Sequence, residues 1–449
     1  MTSSSSPSPC ITVEPVVDGV NGITKYYIRR VAPYEHMFAT DTKARWIGTP
    51  LLDVYLKEFL GHSKAYYQDA IAKGTIQVNG QRSHSLYPLQ NGDRLSHLFT
   101  VHEPPVVMPH RTIPILYETD DLVVVDKPSS MVVHPSGSSR HNSLLKVLEL
   151  QLQQSTNDNR NRGSQDITTS GGESTMNLRL YAIHRLDRVT SGICLFAKSS
   201  AAAKQWSINS TRPCQQGAVQ KWYLARVRGI FPTGNRRIPG LSIKDGTRIV
   251  NGICVNTDVN CLPTTQRRSR EDDAFGYWTT HASVPGCSSS LSRSVLQQIA
   301  EFQRPLDYWL AHDVETSQKP WLNVACPILI RNKGKCEAGS FRDISDEEYY
   351  KSVKPAHTAF GVVSIFPDGT TLVVCQPSTG RSHQIRQHLV ILGHAIANDT
   401  NYLDGGTDDD TASTTKTADT VNHGIWLRAI QYRVHGQCFR ARAPHWAKP

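Results

Sequence analysis

The feature that most constrains the fold of this chain is a nine-residue segment at positions 184–192, with the sequence HRLDRVTSG. It places a single carboxylate, Asp187, between Arg185 and Arg188, immediately before a Thr-Ser-Gly turn. Cations on both sides keep such a carboxylate ionised and aim it, as a catalytic nucleophile or base requires. The apolar run at 193–197 predicts a strand that leaves the turn. The alternative is an ordinary arginine–aspartate pair in a surface turn.

Charge and cysteine usage narrow the class of protein. The 449 residues carry 49 Lys and Arg against 39 Asp and Glu, and this net charge of +10 favours a polyanionic partner. The ten cysteines are scattered singly, without a CxxC pair or a Cys/His cluster, so we expect no metal and no cofactor. No apolar stretch approaches the roughly 20 residues of a membrane span. We therefore expect a monomeric protein without a membrane partner, cytoplasmic, with the mitochondrion or nucleus as alternatives.

The first hundred residues predict an RNA-docking region. Residues 1–17 are predicted to be a disordered tail, and residues 18–48 a basic, aromatic extension that either stacks on nucleotides or packs on a neighbouring domain. Residues 49–103 predict two helices, the second capped by Ser63, followed by short strands around the turns at 79–80 and 91–93. This order of elements resembles an S4-like RNA-binding domain. A small α+β domain without RNA contact is the alternative.

Residues 104–449 predict a second, larger domain that begins after a Pro-Pro linker. A buried strand at 122–125 ends in Asp126, Lys127 and Pro128, where Lys127 either contacts phosphate or is solvated. Two polar stretches, at 151–177 and 233–320, are predicted to be insertions that lengthen connections between motifs. The first is expected to be a disordered loop, and the second to contain a helix at 294–302.

A second chemical motif lies at 221–229, with the sequence KWYLARVRG. The alternation of side chains along a strand places Lys221, Tyr223, Ala225 and Val227 on one face. Taken alone, Tyr223 would be interpreted as a core tyrosine.

The third motif lies at 377–389, with the sequence PSTGRSHQIRQHL. A strand at 371–375 enters it, Thr379 and Gly380 form a turn, and a helix is predicted to begin near His383. This order brings the helix N-terminal amides to the same place as Arg381 and Arg386, an arrangement suited to an anion.

The three motifs resemble the RluA-type RNA pseudouridine synthase patterns HRLDxxTSG, KxYxAxVxG and PxTGRxHQIRxHL at every specified position. The resemblance implies an α/β (α+β) fold: an S4-like module, then a catalytic domain with a mixed, mainly antiparallel sheet and flanking helices. Segments such as YYIRRVAPY resemble the eukaryotic branch of the family, which modifies position 32 of tRNA. Two positions depart from the usual pattern, with Ala395 in place of proline and Arg428 in place of histidine.

The resemblance also implies the chemistry. A uridine, in tRNA at anticodon-loop position 32, would be isomerised to pseudouridine without metal or cofactor, with Asp187 as the catalytic carboxylate, Arg386 paired with it and Tyr223 against the uracil. The further substrate-contact candidates are His184, Arg185, Lys127, Thr190, Lys221, Arg381 and His383.

Other activities remain open at this point. Ribosomal or messenger RNA is the alternative substrate, and a non-catalytic RNA-binding protein is the alternative function. A nucleoside or glycoside hydrolase would need a second carboxylate to handle water, and no motif supplies one. No HxE with a later PCxxC is present, so we expect no zinc deaminase domain.

Overall fold

The computed structural model describes residues 9–19, 21–59, 61–163, 178–208, 219–231, 241–244, 247–250, 253–256, 305–311, 322–326, 328–330, 336–338, 352–403 and 424–448. The chain divides into two compact units, of which the first is mainly Ile28–Pro105 and the second mainly Val106–Pro135 and Ser143–Pro449. The helix predicted at 294–302 lies outside the described residues. In the described part, no helix is long and apolar enough to cross a membrane.

The described part of the N-terminal region consists of three strands, a 3-10 turn and two helices, and then three further strands. They are β1 (Ile11–Val17), β2 (Thr24–Val31), β3 (Tyr34–Asp41), a 3-10 turn (Ala44–Trp46), α1 (Leu51–Glu58), α2 (Lys64–Lys73), β4 (Ile76–Val78), β5 (Gln81–Arg82) and β6 (Arg94–Val101).

The first unit packs its two helices on a four-stranded sheet with strand order β3-β6-β4-β5. Ser63 caps α2 as predicted, because its hydroxyl accepts a hydrogen bond from the Tyr66 amide at 3.3 Å. Gly74, at φ +77°, ends the helix in the left-handed conformation. Tyr55 and Tyr67 are among the large buried side chains between the helices and the sheet. That this unit is an S4-like RNA-binding module remains a prediction.

Three strands, β1, β2 and β3, lie in the predicted tail and N-terminal extension. β1 occupies residues that were predicted to be tail, and β3, inside the predicted extension, pairs with β6 along its whole length, from Tyr34↔Val101 to Asp41↔Arg94. In β3 the half-buried and exposed positions alternate strictly. This alternation is difficult to recognise in the sequence, because the half-buried positions include the polar residues His36 and Thr40.

The second unit is built mainly of strands. They are β7 (Val106–Met108), β8 (Ile115–Glu118), β9 (Leu122–Lys127), β10 (Tyr181–Ala182), β11 (Ser191–Ala197), β12 (Gln220–Val227), β13 (Leu241–Lys244), β14 (Thr247–Val250), β15 (Ile253–Asn256), β16 (Leu322–Ala325), β17 (Ile328–Ile330), β18 (Cys336–Ala338), β19 (Val353–Lys354), β20 (His357–Ile365), β21 (Thr371–Pro377), β22 (Leu427–Val434) and β23 (Gln437–Arg440). The helices are α3 (Leu144–Gly163), α4 (Ser200–Ile208), α5 (Leu306–Ala311), α6 (Gln384–Ile391), α7 (Thr400–Leu403) and a 3-10 turn (His445–Ala447).

Most of these strands form one large sheet, in the order β13-β14-β15-β16-β20-β21-β12-β22-β11-β9-β8. The described pairs are antiparallel except β11 and β22, which run parallel. The predicted α/β class with a mixed, mainly antiparallel sheet is therefore confirmed.

Two helices pack against the centre of the sheet, in the two core clusters that Tyr223 contacts. α3 packs Leu144 and Leu148 against β9 and β11, while α6 packs Ile385 and Leu389 against β12 and β21. Because α6 follows β21 directly, the packing of this helix fixes the intervening loop at 378–383 over the central strands.

The two predicted insertions contain regular structure. α3 continues through the start of the first insertion as far as Gly163, because Leu152 is still buried and the Gln151 amide group pairs with both backbone groups of Ile113. In the second insertion, β13, β14 and β15 extend the sheet beyond β16. The first insertion is therefore not a disordered loop throughout, and the second contributes strands that its composition did not indicate.

Candidate active site

Four neighbouring strands carry the three sequence motifs. A row across β11, β22, β12 and β21 joins Gly192, Ala429, Tyr223 and Cys375, which pair in that order. Tyr223 thus lies between small side chains, and the β12–β22 register shifts just before it. Burial, together with the negative charge of nearby Asp187, raises the pKa of Tyr223, so its side chain is a neutral phenol.

Lys127 stabilises the loop that carries Asp187. This lysine is completely buried, and its ammonium donates to the backbone oxygens of Pro128 at 2.9 Å, Met131 at 2.7 Å and Arg188 at 3.2 Å. An ammonium has three donors, and all three are used here. Burial lowers the pKa of Lys127 to about 8, which leaves it mostly protonated at neutral pH. Lys127 therefore fixes the motif loop, and its position does not support a phosphate contact.

Gly192 holds the strand end of the same loop against β22. Its φ of +115° is disfavoured for any side chain, and a Cβ at this position would overlap the backbone of Ala429.

We expect Gly192→Ala to lower the free energy of unfolding by about 3 kcal/mol or more, because the conformational strain and the overlap with Ala429 add. Gly369→Ala is the matched control, since φ is +79° and nothing lies near the added methyl group. Chemical denaturation should show a loss of only about 1 kcal/mol for that control. Equal losses in the two variants would contradict the overlap.

The Asp187 carboxylate faces two nitrogens from the third motif. Oδ2 of Asp187 lies 3.6 Å from Nη1 of Arg386 and 3.8 Å from Nε2 of His383. The Asp187 side chain is 23% exposed, whereas Arg386 is 2% exposed. Burial lowers the pKa of His383, so the imidazole is neutral at pH 7. The structure thus brings together the predicted Asp187, Arg386 and His383, and leaves the second oxygen of Asp187 open.

Two residues that the sequence analysis did not single out support these groups. Asp399 accepts two hydrogen bonds from Arg386, at 2.6 Å from Nε and 2.8 Å from Nη2. The Tyr402 hydroxyl lies 2.7 Å from Nδ1 of His383, and its ring lies 4.8 Å from the Arg386 guanidinium. Both lie in residues 392–402, over which the family resemblance continues, and that extension is the sequence signal that could have identified them.

Three further cations belong to the same three motifs and have no carboxylate partner among the described residues. Arg185 is exposed, and Arg381 donates only from Nε to the Pro355 carbonyl at 3.0 Å. The Lys221 ammonium lies 5.7 Å from the centre of the Tyr432 ring and beside Gly380, where an added Cβ would be 3.9 Å away. Burial lowers the pKa of Lys221. These cations are available to an anionic ligand.

Two other predicted contact residues support the motif loop from within the protein, although the Thr190 hydroxyl has no hydrogen-bond partner among the described residues. The His184 ring stacks on Tyr432 at 4.7 Å and accepts a hydrogen bond from the Leu195 amide, and burial lowers its pKa to about 3. Thr190 is 2% exposed and closes the motif turn by donating its amide to the Asp187 carbonyl at 3.1 Å. Both residues stabilise the loop from inside.

The two departures from the family pattern have structural explanations. Ala395 contributes its carbonyl, which accepts from the Arg228 amide at 2.9 Å, and proline has the same carbonyl. Arg428 donates to Asp126 at 2.6 Å and to the Arg442 carbonyl at 3.1 Å. It therefore links the end of β9 to β22, beside the motif loop.

The arrangement limits the chemistry that this site performs. The other carboxylate that pairs with Arg386 in the described part of the chain is Asp399, and both of its oxygens accept a hydrogen bond from that arginine. A hydrolase that activates water between two carboxylates is therefore disfavoured. Among the described residues, no group of three or more His, Cys, Asp or Glu side chains is placed to hold a metal ion.

Comparison with known proteins gives the family context. Residues 121–276 match the family described as RNA pseudouridylate synthase. The chain is 28% identical over 376 residues to RNA pseudouridine synthase 7 of Arabidopsis thaliana, covering 84% of this chain and 66% of that protein. It is 28% identical over 384 residues to pseudouridylate synthase RPUSD2 of Homo sapiens, covering 84% and 48% respectively.

A third relative carries a more specific name. The chain is 27% identical over 375 residues to the mitochondrial tRNA pseudouridine(32) synthase of Saccharomyces cerevisiae, covering 84% of this chain and 55% of that protein. The chain thus spans between about half and two thirds of the length of these three relatives.

Proposed function

We propose that this chain, which belongs to the RluA-type RNA pseudouridine synthase family, isomerises a uridine in RNA to pseudouridine, with Asp187 as the catalytic carboxylate. The observation that carries the proposal is the placement of one partly exposed carboxylate beside a half-buried phenol and a buried arginine, each from a different family motif. No second free carboxylate accompanies them in the described part of the site.

The reaction breaks the bond between N1 of uracil and C1′ of the ribose and forms a bond between C5 and C1′. The net proton transfer is from C5 to N1, so the product is an isomer and no water is consumed. Asp187 acts either as the nucleophile at the sugar or as the base that removes a ribose proton. The raised pKa of Tyr223 favours contact with the uracil over removal of the C5 proton, because a phenol is a weak base.

The RNA backbone contacts the cations that have no carboxylate partner among the described residues. Arg185, Lys221 and Arg381 belong to the three motifs, and each has N–H groups available to contact a phosphate. The target base must leave its stack, which costs a few kcal/mol and favours a loop uridine. The first unit, with its two helices on a small sheet, is the proposed docking module.

The more specific proposal is that the substrate is uridine 32 of the tRNA anticodon loop. The enzyme would act as a monomer in the cytoplasm or the mitochondrion. The name of the Saccharomyces cerevisiae relative supports the position and the second compartment. Ribosomal and messenger RNA are the alternative substrates.

The direct test is to incubate the purified chain with transcripts that carry tritium at C5 of uridine. Isomerisation releases the C5 tritium and produces pseudouridine in the digested RNA, without loss of chain mass. Release of free uracil would instead identify a hydrolase. Binding to tRNA, ribosomal and messenger transcripts without tritium release would identify a non-catalytic RNA-binding protein.

The phosphate contact of Arg381 has a separate signature. We expect Arg381→Ala to reduce the slope of log affinity against log salt by about 1, because one counterion fewer is released on RNA binding. Lys198→Ala is the control. Lys198 follows the end of β11 that is farther from Asp187, and its ammonium already lies 2.7 Å from the Glu118 carboxylate. Filter binding across a series of salt concentrations measures both slopes. An unchanged slope for Arg381→Ala would contradict the contact.

A further inference from the structure

The segment that follows α6 supplies two side chains that contact Arg386 and His383 of the candidate catalytic group. Its residues 395–397 are anchored to the end of β12, the strand that carries Tyr223: the Arg228 amide donates to the Ala395 carbonyl at 2.9 Å and the Ala397 amide to the Arg226 carbonyl at 3.0 Å. Asp399 and Tyr402 follow on one helical turn, linked by a hydrogen bond from the Tyr402 amide to the Asp399 carbonyl at 3.0 Å. These backbone hydrogen bonds therefore fix the positions of Asp399 and Tyr402 relative to β12.

Asp399 determines the orientation of the Arg386 guanidinium. Both residues are 2% exposed, and the carboxylate accepts from Nε and Nη2 in a bidentate pair. A planar guanidinium held along this edge has only one orientation, and in it Nη1 faces Asp187 at 3.6 Å. Without Asp399, burial would not by itself select this rotamer.

Tyr402 determines the proton position on His383. The neutral imidazole carries one N–H and one acceptor nitrogen. When the Tyr402 hydroxyl donates to Nδ1, at 2.7 Å, the proton must sit on Nε2, which is the nitrogen that faces Asp187 at 3.8 Å. The backbone of His383 is itself held in the left-handed region, at φ +55°, which is rare outside glycine and asparagine. Such strain persists where surrounding contacts determine the conformation.

The Asp399–Arg386 pair and the Tyr402–His383 contact both act on Oδ2 of Asp187. We propose that Asp399 and Tyr402 are positioning residues that direct N–H groups of Arg386 and His383 to Oδ2 of Asp187, so that Oδ1 is the oxygen that reacts with the ribose. Among the described residues, Oδ1 has no hydrogen bond or ion pair, whereas Oδ2 faces both nitrogens. The proposal rests on the proposed isomerase activity, because it assigns the oxygen that this activity uses.

The first test is Asp399→Asn in the full chain. Asparagine keeps the size of the side chain but offers one acceptor in place of two, so Arg386 loses its fixed orientation. We expect kcat to fall about 100-fold with KM changed less than threefold, since a displacement of about 1 Å costs this much. Asp368→Asn is the matched control, because it also removes a carboxylate that pairs with an arginine. Asp368 lies in the turn after β20, and its partner, Arg226, lies on β12. That variant should keep at least half of the wild-type kcat.

The second variant isolates the hydroxyl of Tyr402. Tyr402→Phe keeps the ring beside Arg386 but removes the hydrogen bond to Nδ1, so the Nε2–H form of His383 is no longer favoured. We expect kcat to fall about tenfold, with KM again unchanged. Nitrogen NMR of the imidazole gives the tautomer directly: Nε2–H in the wild-type protein and a mixture in Tyr402→Phe. Parallel losses in kcat and RNA affinity would instead indicate a general structural defect.

The outcomes separate this inference from the proposed function. If the wild-type chain releases no tritium from any transcript, the proposed function fails, while the Arg386 and His383 signals still test the positioning. If the wild-type chain is active and Asp399→Asn keeps more than half of kcat, the role of Asp399 is wrong. An Arg386 Nε–H signal that stays equally protected from hydrogen exchange in Asp399→Asn would also overturn it.

Discussion

Asp187→Asn should reduce the rate of pseudouridine formation at least about 1000-fold, which corresponds to about 4 kcal/mol of transition-state stabilisation. Asparagine has the shape of aspartate but neither its charge nor its nucleophilic oxygen, so both proposed roles at the ribose are lost. The fold should tolerate the change. The nearest nitrogens, on Arg386 and His383, lie at 3.6 and 3.8 Å, beyond hydrogen-bond distance, and the side chain is 23% exposed.

Tritium release from the labelled transcript measures the rate, and filter binding measures RNA affinity in the same preparations. RNA affinity should change less than threefold, because Asp187 does not contribute a cation to the backbone. Asp120→Asn is the control, since Asp120 is exposed on the turn between β8 and β9. It should retain more than half of the activity. An Asp187→Asn protein that works at more than a tenth of the wild-type rate would remove Asp187 from the chemistry.

The local chemistry of the site could be predicted from the sequence because each motif is short and continuous. A loop carboxylate, an alternating strand and a turn that enters a helix are each set by neighbouring residues, and the structure places Asp187 beside both Arg386 and Tyr223. The strands that carry the motifs are neighbours in the sheet. Their order β21-β12-β22-β11 could not be predicted from one sequence, because it depends on pairings between residues up to about 240 positions apart.

The supporting residues could not be predicted for a related reason. The family resemblance extends over Asp399 and Tyr402 but gives them no role, and only the fold shows that Arg386 and His383 lie against them. Lys127 shows the opposite case. At the end of a strand a lysine is usually solvated, yet here three backbone carbonyls stabilise its burial, and they are separated from it by one to 61 positions.

Arg386→Met should have the largest effect on stability, because it leaves the buried carboxylate of Asp399 without its cation. Removing one partner of a buried ion pair typically costs about 3–5 kcal/mol. We expect a loss of this size in the free energy of unfolding, measured by urea denaturation, and a fall in kcat of at least 100-fold. The double variant Arg386→Met/Asp399→Asn removes both charges and should recover at least half of the lost stability.

The double variant separates the two roles of Arg386. Its activity should stay as low as that of Arg386→Met, because restoring a neutral interior does not restore the N–H that faces Asp187. Recovery of stability without recovery of kcat would thus assign the Asp399 contact to fold and orientation and the Nη1 contact to the reaction. If kcat returned with stability, Arg386 would be a structural residue, and the fixed Oδ2 of Asp187 would need another partner. If Arg386→Met does not fold, comparison of the double variant with Asp399→Asn still gives the kinetic part of the result.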